Sequence, residues 1–201
     1  MKLKNIYIAI IFLSFNLISN VAHSKTAHET AEDIHTQVIE VIQENKSLYS
    51  SNKEMFIEKI ELTMKPAVDF KRISRNVMGK YYKQATEEQR NLFLEVFKIT
   101  LLKTYSDTFF EFKDEEIRVL PEKEKPKRPN RVKVGVEIIT DTKVYPATYD
   151  MYKNKKEEWK IINIVVNGVN LGLTFRNQFY SLTTKRKENI DLVIEEWVAS
   201  L

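Results

Sequence analysis

Cysteine is absent from this chain of 201 residues, and its absence excludes several kinds of protein at once. The chain cannot form a disulfide, use a thiol nucleophile or bind a metal through a cysteine thiolate. The lipid anchor of a bacterial lipoprotein is excluded as well, because that anchor is attached to a cysteine. A fold without such cross-links must be stabilised by its apolar core alone.

Histidine is scarce too, and its placement does not indicate catalysis. The chain has three histidines, of which His28 and His35 lie beyond the first 24 residues. Both fall on one face of a predicted helix, with no cysteine or third histidine to join them. Because zinc-type metal sites need three or four ligands, we interpret them as a solvated pair on an amphipathic helix. The chain also lacks a Gly-x-Ser-x-Gly nucleophile motif and a glycine-rich phosphate loop.

Long apolar runs are limited to one, at the N-terminus. Two lysines precede an apolar run over 6–18, which is too short to span a bilayer, since a spanning helix needs about 20 residues. Ala22 and Ser24 then provide the small residues of a signal-peptidase site. We therefore predict a signal peptide over 1–24 and an exported, periplasmic domain over 25–201, with a retained signal anchor as the alternative.

Excess positive charge is also small once this segment is removed. Cleavage takes away two lysines, leaving 30 of the 32 basic residues against 28 acidic ones. The basic run KEKPKRPNR at 123–131 has no aromatic residue that could stack on a base. We interpret it as a solvated loop rather than a nucleic-acid site, with contact to an acidic partner surface as the alternative.

The first half of the predicted domain has the 3.6-residue apolar period of helices. Ser51 with Glu54, and Thr86 with Gln89, form capping boxes, and Asp69 is placed to cap a further helix. Four helices are predicted in this half, over 26–45, 51–65, 69–79 and 86–112.

The middle of the chain changes to the two-residue alternation of strands. Strands are predicted over 117–120, 132–139, 143–152 and 159–166. Their short connections favour an antiparallel meander of three or four strands. Asn167–Gly168 then turns the chain into a helix near Leu171, and a last helix follows from Asn189. This order predicts an α+β fold in which helices pack on one face of a small antiparallel sheet.

Aromatic residues are plentiful, with eleven phenylalanines and nine tyrosines in the chain. They can fill an ordinary core, or line a cavity for an apolar ligand between the helices and the sheet. Such a cavity would suit an acyl chain, because each methylene removed from water contributes about 0.8 kcal/mol. Composition alone leaves both interpretations open.

Two segments carry a resemblance to a known family. The first is VDFKRISRNVMGKYYKQATEEQRNLFLEVFKITLLKTYSDTF (68–109), with its motifs Asp69–Phe70, Gly79 before Tyr81 and Tyr82, Gln89-Arg90-x-x-Phe93 and Thr104–Tyr105. The second is WKIINIVVNGVNLGLTFRNQF (159–179), with a tryptophan strand, a glycine turn and an Arg-x-Gln-Phe helix. From about Ala31 onwards the chain resembles the MlaC, or toluene-tolerance, family of periplasmic phospholipid-binding proteins. Three positions depart from the family pattern: Asn163 stands for aspartate, Asn170 for serine and Phe175 for tyrosine.

The resemblance implies a carrier and not an enzyme. It implies an NTF2-like fold with an apolar cavity, in which both acyl tails lie between sheet and helices and the head group stays outside. It implies no cofactor, with bound phospholipid as the cargo. The implied partners are an outer-membrane lipoprotein–porin complex and an inner-membrane ABC transporter with an MCE-domain protein. Nucleic acid is not an expected partner, and the cleaved chain is not expected to span a membrane.

Side-chain parity within the predicted elements then selects the residues expected to contact the lipid tails. On the helices they are Val77, Tyr81, Phe97, Tyr105, Phe109, Phe175 and Phe179. On the strands and the following turn they are Val134, Val136, Tyr149, Met151, Ile162, Ile164, Val169 and Leu171. Of these, Leu171, Phe175 and Phe179 are expected to face the sheet. Arg176, beside them, is expected to pair with a carboxylate and to meet Tyr180 by a cation–π contact, with the lipid phosphate as the alternative partner.

Three other functions stay open at this point. A binding protein for another apolar ligand, such as a fatty acid or an isoprenoid, would share the cavity. An enzyme on an NTF2-like scaffold would place titratable groups inside it. A chaperone that clamps unfolded chains would instead expose an apolar groove.

Overall fold

The computed structural model describes residues 25–111, 116–122 and 128–199, apart from the side chain of Phe109. The predicted signal peptide at 1–24, the predicted helix end at Phe112 and most of the basic loop lie outside these residues. Among the helices within them, none is both long and apolar enough to cross a membrane.

Helices occupy both ends of the described chain. They are α1 (Ala27–Glu44), α2 (Lys46–Ser51), α3 (Lys53–Met64), α4 (Phe70–Met78), α5 (Glu87–Glu111), α6 (Leu171–Lys185) and α7 (Ile190–Ala199). A 3₁₀ turn over Gly79–Lys83 connects α4 to the segment before α5. The predicted helices are present, the second of them as α3, and the short helix α2 that precedes it was not predicted.

Side-chain caps determine where the helices begin. At α1 the Thr26 hydroxyl accepts the Glu29 N–H at 3.1 Å, and the Glu29 carboxylate accepts the Thr26 N–H at 2.7 Å. The predicted capping box of Thr86 and Gln89 opens α5, with the two reciprocal bonds at 3.0 and 3.2 Å. Asp69 caps α4 as predicted, accepting a backbone N–H of its first turn at 2.9 Å. Each cap satisfies N–H groups that have no partner inside the helix.

The predicted capping box of Ser51 and Glu54 is wrong. Ser51 is the last residue of α2, and its hydroxyl donates to the Ser47 carbonyl at 2.8 Å. Asn52 caps α3 instead, because its side-chain oxygen accepts the Met55 N–H at 3.0 Å. The chain breaks between the two helices at this asparagine, so the cap lies one position later than the sequence pattern indicates.

Gly79 ends α4 with a φ of +54°, a region that favours glycine. The backbone N–H of Lys80 donates to the Tyr180 hydroxyl of α6 at 3.0 Å. A Cβ atom at position 79 would lie 2.1 Å from that hydroxyl oxygen. Glycine is therefore required here both by the backbone angle and by the close approach of α6.

The sheet has five antiparallel strands in chain order, one more than the three or four strands predicted. They are β1 (Glu116–Val119), β2 (Arg131–Ile139), β3 (Val144–Lys153), β4 (Trp159–Val166) and β5 (Val169–Asn170). Asn167 and Gly168 connect β4 to β5 with φ values of 48° and 80°. Positive φ at both loop residues is the geometry of a type I′ hairpin, which Asn-Gly favours. The additional strand is therefore the short arm of this hairpin.

The apolar face of the sheet packs against α1. Val134 and Val136 of β2 are fully buried there, together with Ala147 and Met151 of β3. Small residues of α1, such as Ala31, allow the helix to approach the strands closely. The predicted alternation of β2 and β3 and the α+β fold class are confirmed.

A second core lies among α4, α5, α6 and α7. Trp197 is its centre, fully buried against the rings of Phe93, Phe97, Phe175 and Phe179. Their centroids lie 5.4 to 6.4 Å from that of Trp197, the spacing of tilted and edge-to-face aromatic pairs. Much of the aromatic content of the chain therefore makes an ordinary helical core.

Candidate functional site

A cleft of about 1070 Å³ opens between the sheet and the helices α4 and α6. It is at the upper end of the range of small-molecule pockets, roughly 300–1,000 Å³. Its apolar lining consists of Ile73, Leu120, Pro121, Val132, Met151, Ile162 and Leu173. Its charged lining consists of Glu122, Arg128, Arg131, Lys133, Asp150 and Arg176, with His28 beside them. The cleft is thus amphipathic.

A chain of polar contacts runs across the wall of this cleft. The backbone N–H of Gly172 donates to Asn163 Oδ1 at 3.0 Å, and Asn163 Nδ2 donates to Asp150 Oδ2 at 2.9 Å. The other carboxylate oxygen of Asp150 forms an ion pair with Lys133. A Cβ atom at position 172 would lie 2.5 Å from Asn163 Oδ1, so the first turn of α6 approaches β4 this closely only with glycine. These contacts connect α6 to β4, and through side chains of β4 and β3 to β2.

Two departures from the family pattern have a physical reason in this arrangement. An amide at Asn163 can both accept from Gly172 and donate to Asp150, whereas a carboxylate there would face a second carboxylate. Asn170 caps α6, because its side-chain oxygen accepts the Leu173 N–H at 3.0 Å. The asparagine therefore provides the helix cap at this turn, a role that serine also suits.

Arg176 lines the cleft and is anchored to α4. Its Nε donates to the backbone carbonyl of Asn76 at 2.7 Å. No carboxylate in the described ranges pairs with it, so the expected ion pair is not found there. The expected cation–π contact with Tyr180 is not found among these residues either, because Lys80 takes that position, 5.8 Å from the ring centroid. The guanidinium group is therefore held by a neutral carbonyl.

The residues predicted to contact lipid tails lie in several places. Met151 and Ile162 line the cleft. Val134, Val136, Tyr149 and Ile164 belong to the core beneath α1. Val77, Tyr81, Phe97, Phe175 and Phe179 belong to the helical core. Tyr105 and Leu171 are half-buried, Val169 is exposed, and the side chain of Phe109 lies outside the described residues. Tail contact at these positions stays a prediction, and it requires the packed cores to separate wherever no cleft is present.

The orientation expected for Phe175 and Phe179 is wrong. Their rings pack within the helical core, Phe175 on Phe97 at 5.5 Å and Phe179 on Phe93 at 4.8 Å between centroids. The four-residue spacing does mark one face of α6. That face meets α5 and α7, which offer more aromatic surface than the strands do.

The interpretation of the two histidines as a solvated pair is wrong for His35. Its Nε2 lies 2.7 Å from the Tyr149 hydroxyl oxygen, and its Nδ1 is buried with no hydrogen-bond partner in the described part of the chain. Burial lowers the pKa of His35 from 6.5 to about 4 and raises the pKa of Tyr149. The spacing could have shown this, since His35 continues the buried stripe of Ala27 and Ala31 in steps of four residues.

Sequence reasoning also missed the polar members of the cleft. Lys133 and Gly135 of β2 and Thr148 and Asp150 of β3 all line it. Lys133 and Gly135 alternate with the buried valines of β2, and the antiparallel register pairs Lys133 with Asp150 and Gly135 with Thr148. The signal in the sequence is this second set of alternating positions, whose polar side chains resemble those of a solvent-exposed sheet face.

Fold and cleft together define an α+β protein with a ligand-sized, amphipathic cleft between its sheet and its helices. The model of one protein family, described as MlaC protein, matches residues 32–199. The chain belongs to the MlaC family.

Known relatives agree with this family. Toluene tolerance protein ttg2D of Pseudomonas putida is 30% identical over 194 residues, covering 96% of this chain and 88% of that protein. The intermembrane phospholipid transport system binding protein MlaC of Haemophilus influenzae is 27% identical over 133 residues, covering 65% of this chain and 62% of that protein. The resemblance found in the sequence is thereby confirmed.

A solved structure shares the fold. It is a phospholipid-binding protein from Ralstonia solanacearum in complex with a phospholipid, with a TM-score of 0.79 and 22% sequence identity. The match covers 86% of this chain and 95% of that chain. At this identity the likeness concerns the fold alone.

Proposed function

We propose that this protein is an exported carrier that binds phospholipid in the cleft between sheet and helices and moves it between two membranes without catalysis. The observation that carries the proposal is the amphipathic cleft of about 1070 Å³. Apolar side chains such as Ile73, Val132 and Leu173 offer a surface for acyl chains, where each buried methylene contributes about 0.8 kcal/mol. Charged side chains in the same cleft suit the polar end of the same ligand.

The comparisons support the proposal through the names of the relatives. One relative is named a phospholipid transport binding protein, and the structural neighbour was solved with a phospholipid. On this basis the implied partners are an outer-membrane lipoprotein–porin complex and an inner-membrane ABC transporter with an MCE-domain protein. A periplasmic location, reached through the N-terminal segment as signal peptide, is part of the same proposal.

A carrier accounts for the arrangement of Asp150 and His35 better than an enzyme does. Asp150 is committed to Lys133 and Asn163, and the buried His35 lies against Tyr149 outside the cleft lining. General acid–base catalysis needs a titratable group within hydrogen-bond reach of a substrate proton. These two groups are instead occupied by partners within the protein.

Native mass spectrometry of the protein purified after export tests the binding. We expect a bound mass that matches a phospholipid, released and identified after denaturation. A bound fatty acid or isoprenoid would replace phospholipid with the other apolar ligand considered above. A protein that stays free of lipid when offered phospholipid vesicles would refute the carrier function.

Transfer between vesicles tests the transport. Donor vesicles would carry a fluorescent phospholipid, and acceptor vesicles a quencher of it. We expect the transfer rate to rise in proportion to protein concentration, because each molecule carries its own cargo. A lipid transfer rate that does not depend on protein concentration would mean that the protein binds phospholipid but does not carry it between membranes.

A further inference from the structure

The charged residues of the cleft do not balance. Its lining contains four cationic side chains, Arg128, Arg131, Lys133 and Arg176, against the carboxylates of Glu122 and Asp150. Asp150 is already neutralised by Lys133 and hydrogen bonded to Asn163. The cleft therefore keeps guanidinium groups with no carboxylate assigned to them among the described residues, and it suits an anionic ligand.

Arg176 is oriented for such a ligand. Its Nε is used by the Asn76 carbonyl, which fixes the plane of the guanidinium against α4. A guanidinium has five N–H donors, so the remaining donors form the fork that matches two oxygens of a phosphate. Ile73 of α4 and Leu173 of α6 line the cleft beside it. The cation thus lies next to apolar surface, as the phosphate of a lipid lies next to its tails.

Arg131 provides a second cation from a different wall. It is the first residue of β2, exposed at the cleft, with its guanidinium carbon 5.9 Å from the centroid of the Tyr152 ring. Arg72 occupies a position closer to that ring, at 3.8 Å, and pairs with Asp69. Arg131 has no ion pair with a residue that the structure describes, which leaves it available to a ligand.

We infer that Arg176, assisted by Arg131, binds the phosphodiester of the lipid, so that the charged wall of the cleft contributes to binding beyond the burial of the tails. This inference rests on the proposed function and names the part of the ligand that the charged wall recognises. It predicts that the protein distinguishes a phospholipid from a diacylglycerol with the same tails. Tail burial alone would not separate the two, because the apolar area is the same.

The test offers lipid-free protein, purified after export, to phosphatidylglycerol vesicles that contain diacylglycerol with identical acyl chains. Native mass spectrometry gives the ratio of the two bound lipids, corrected for vesicle composition. We expect the unsubstituted protein to favour phosphatidylglycerol about 10-fold or more, as a charge-assisted hydrogen bond allows. Arg176→Gln should lower that preference about 10-fold, and Arg131→Gln by a smaller factor, while diacylglycerol binding stays the same.

Arg118→Gln is the matched control, since it removes one positive charge from the neighbouring strand β1. Arg118 is paired with Glu116 and Glu137 and does not line the cleft. We expect its lipid ratio to equal that of the unsubstituted protein. Arg131→Gln loses no described side-chain hydrogen bond, so it tests the inference even if Arg176→Gln fails to fold.

The possible outcomes separate the inference from the function on which it rests. Equal binding of both lipids, or equal ratios in Arg176→Gln and Arg118→Gln, would overturn the head-group site while leaving the carrier intact. Failure of the unsubstituted protein to bind either lipid would overturn the proposed function. Inorganic phosphate is the last probe: we expect no heat of binding in calorimetry, and an Arg176-dependent heat would assign the site to the free ion instead.

Discussion

The contact between Gly79 and Tyr180 gives the sharpest test of how the structure is held together. Gly79 has a φ of +54°, and a Cβ atom there would lie 2.1 Å from the Tyr180 hydroxyl oxygen. Gly79→Ala therefore meets two penalties. The first is backbone strain of roughly 1–3 kcal/mol in a sparsely populated region. The second is displacement of α6, which loses the Lys80 N–H to Tyr180 hydrogen bond, worth roughly 0.5–1.5 kcal/mol.

Gly168→Ala is the matched control, because Gly168 also has a positive φ, 80°, yet nothing lies within 4 Å of its added Cβ atom. It carries the strain without the clash, so we expect a loss of about 1 kcal/mol for Gly168→Ala and about 3 kcal/mol for Gly79→Ala. Urea unfolding measures both free energies of unfolding from the shift in midpoint at constant slope.

A double-mutant cycle isolates the clash. Tyr180→Phe alone should cost about 1 kcal/mol for the lost hydrogen bond. Combined with Gly79→Ala it removes the oxygen that the new methyl group meets, so the double variant should be more stable than the sum of the two losses by about 1 kcal/mol or more. The reasoning is refuted if Gly79→Ala costs no more than Gly168→Ala, or if the two losses simply add.

Three further predictions concern the histidine, the cleft and the asparagine of its wall. The folded-state pKa of His35 is about 4, below its ordinary value of 6.5. The free energy of unfolding should therefore be highest above pH 6.5 and fall by about 3 kcal/mol as the pH drops to 4. His35→Phe should flatten this pH dependence, measured by urea unfolding at a series of pH values. An unchanged pH profile in that variant would contradict the assignment. Thr148→Trp fills the cleft and should remove most of the bound phospholipid seen by native mass spectrometry. Thr104→Trp, on the exposed side of α5, is the control and should keep its lipid. Equal lipid occupancy of the two variants would argue against the cleft as the lipid site. Asn163→Asp places a second carboxylate beside Asp150 and should lower the free energy of unfolding by about 1 kcal/mol at neutral pH. The loss should become smaller as the pH falls, because the carboxylates become protonated. An equal loss at all pH values would contradict charge repulsion as its cause.

Local signals predicted most of the elements, because their physical causes are local. The capping box of Thr86 and Gln89 depends on residues three apart, and the turn at Asn167–Gly168 depends on two adjacent positive φ values. The alternation of β2 likewise follows from one buried face. The cap at α3 was misplaced because Ser51 and Asn52 are both good capping residues, and only the break between α2 and α3 decides between them.

The site was harder to predict, because it depends on which surfaces meet. The stripe of Phe175 and Phe179 was visible, but nothing in the spacing says that α5 and α7, and not the sheet, lie opposite it. The cleft also uses the parity of β2 and β3 that carries Lys133 and Asp150. Polar residues of that kind are normally assigned to solvent from sequence, and only the position of α6 over β4 brings them to a cleft.

The strand order has a consequence for how this chain acquires its fold. Every strand pairs with its neighbour in the sequence, from β1 to β5. Contacts between sequence neighbours keep the contact order of the sheet low, and low contact order favours rapid folding. A single β-hairpin forms in about 1–10 μs, whereas disulfide formation takes seconds to hours. With no cysteine to oxidise, the unfolded chain can complete the meander one hairpin at a time, without waiting for a thiol oxidase or a disulfide isomerase.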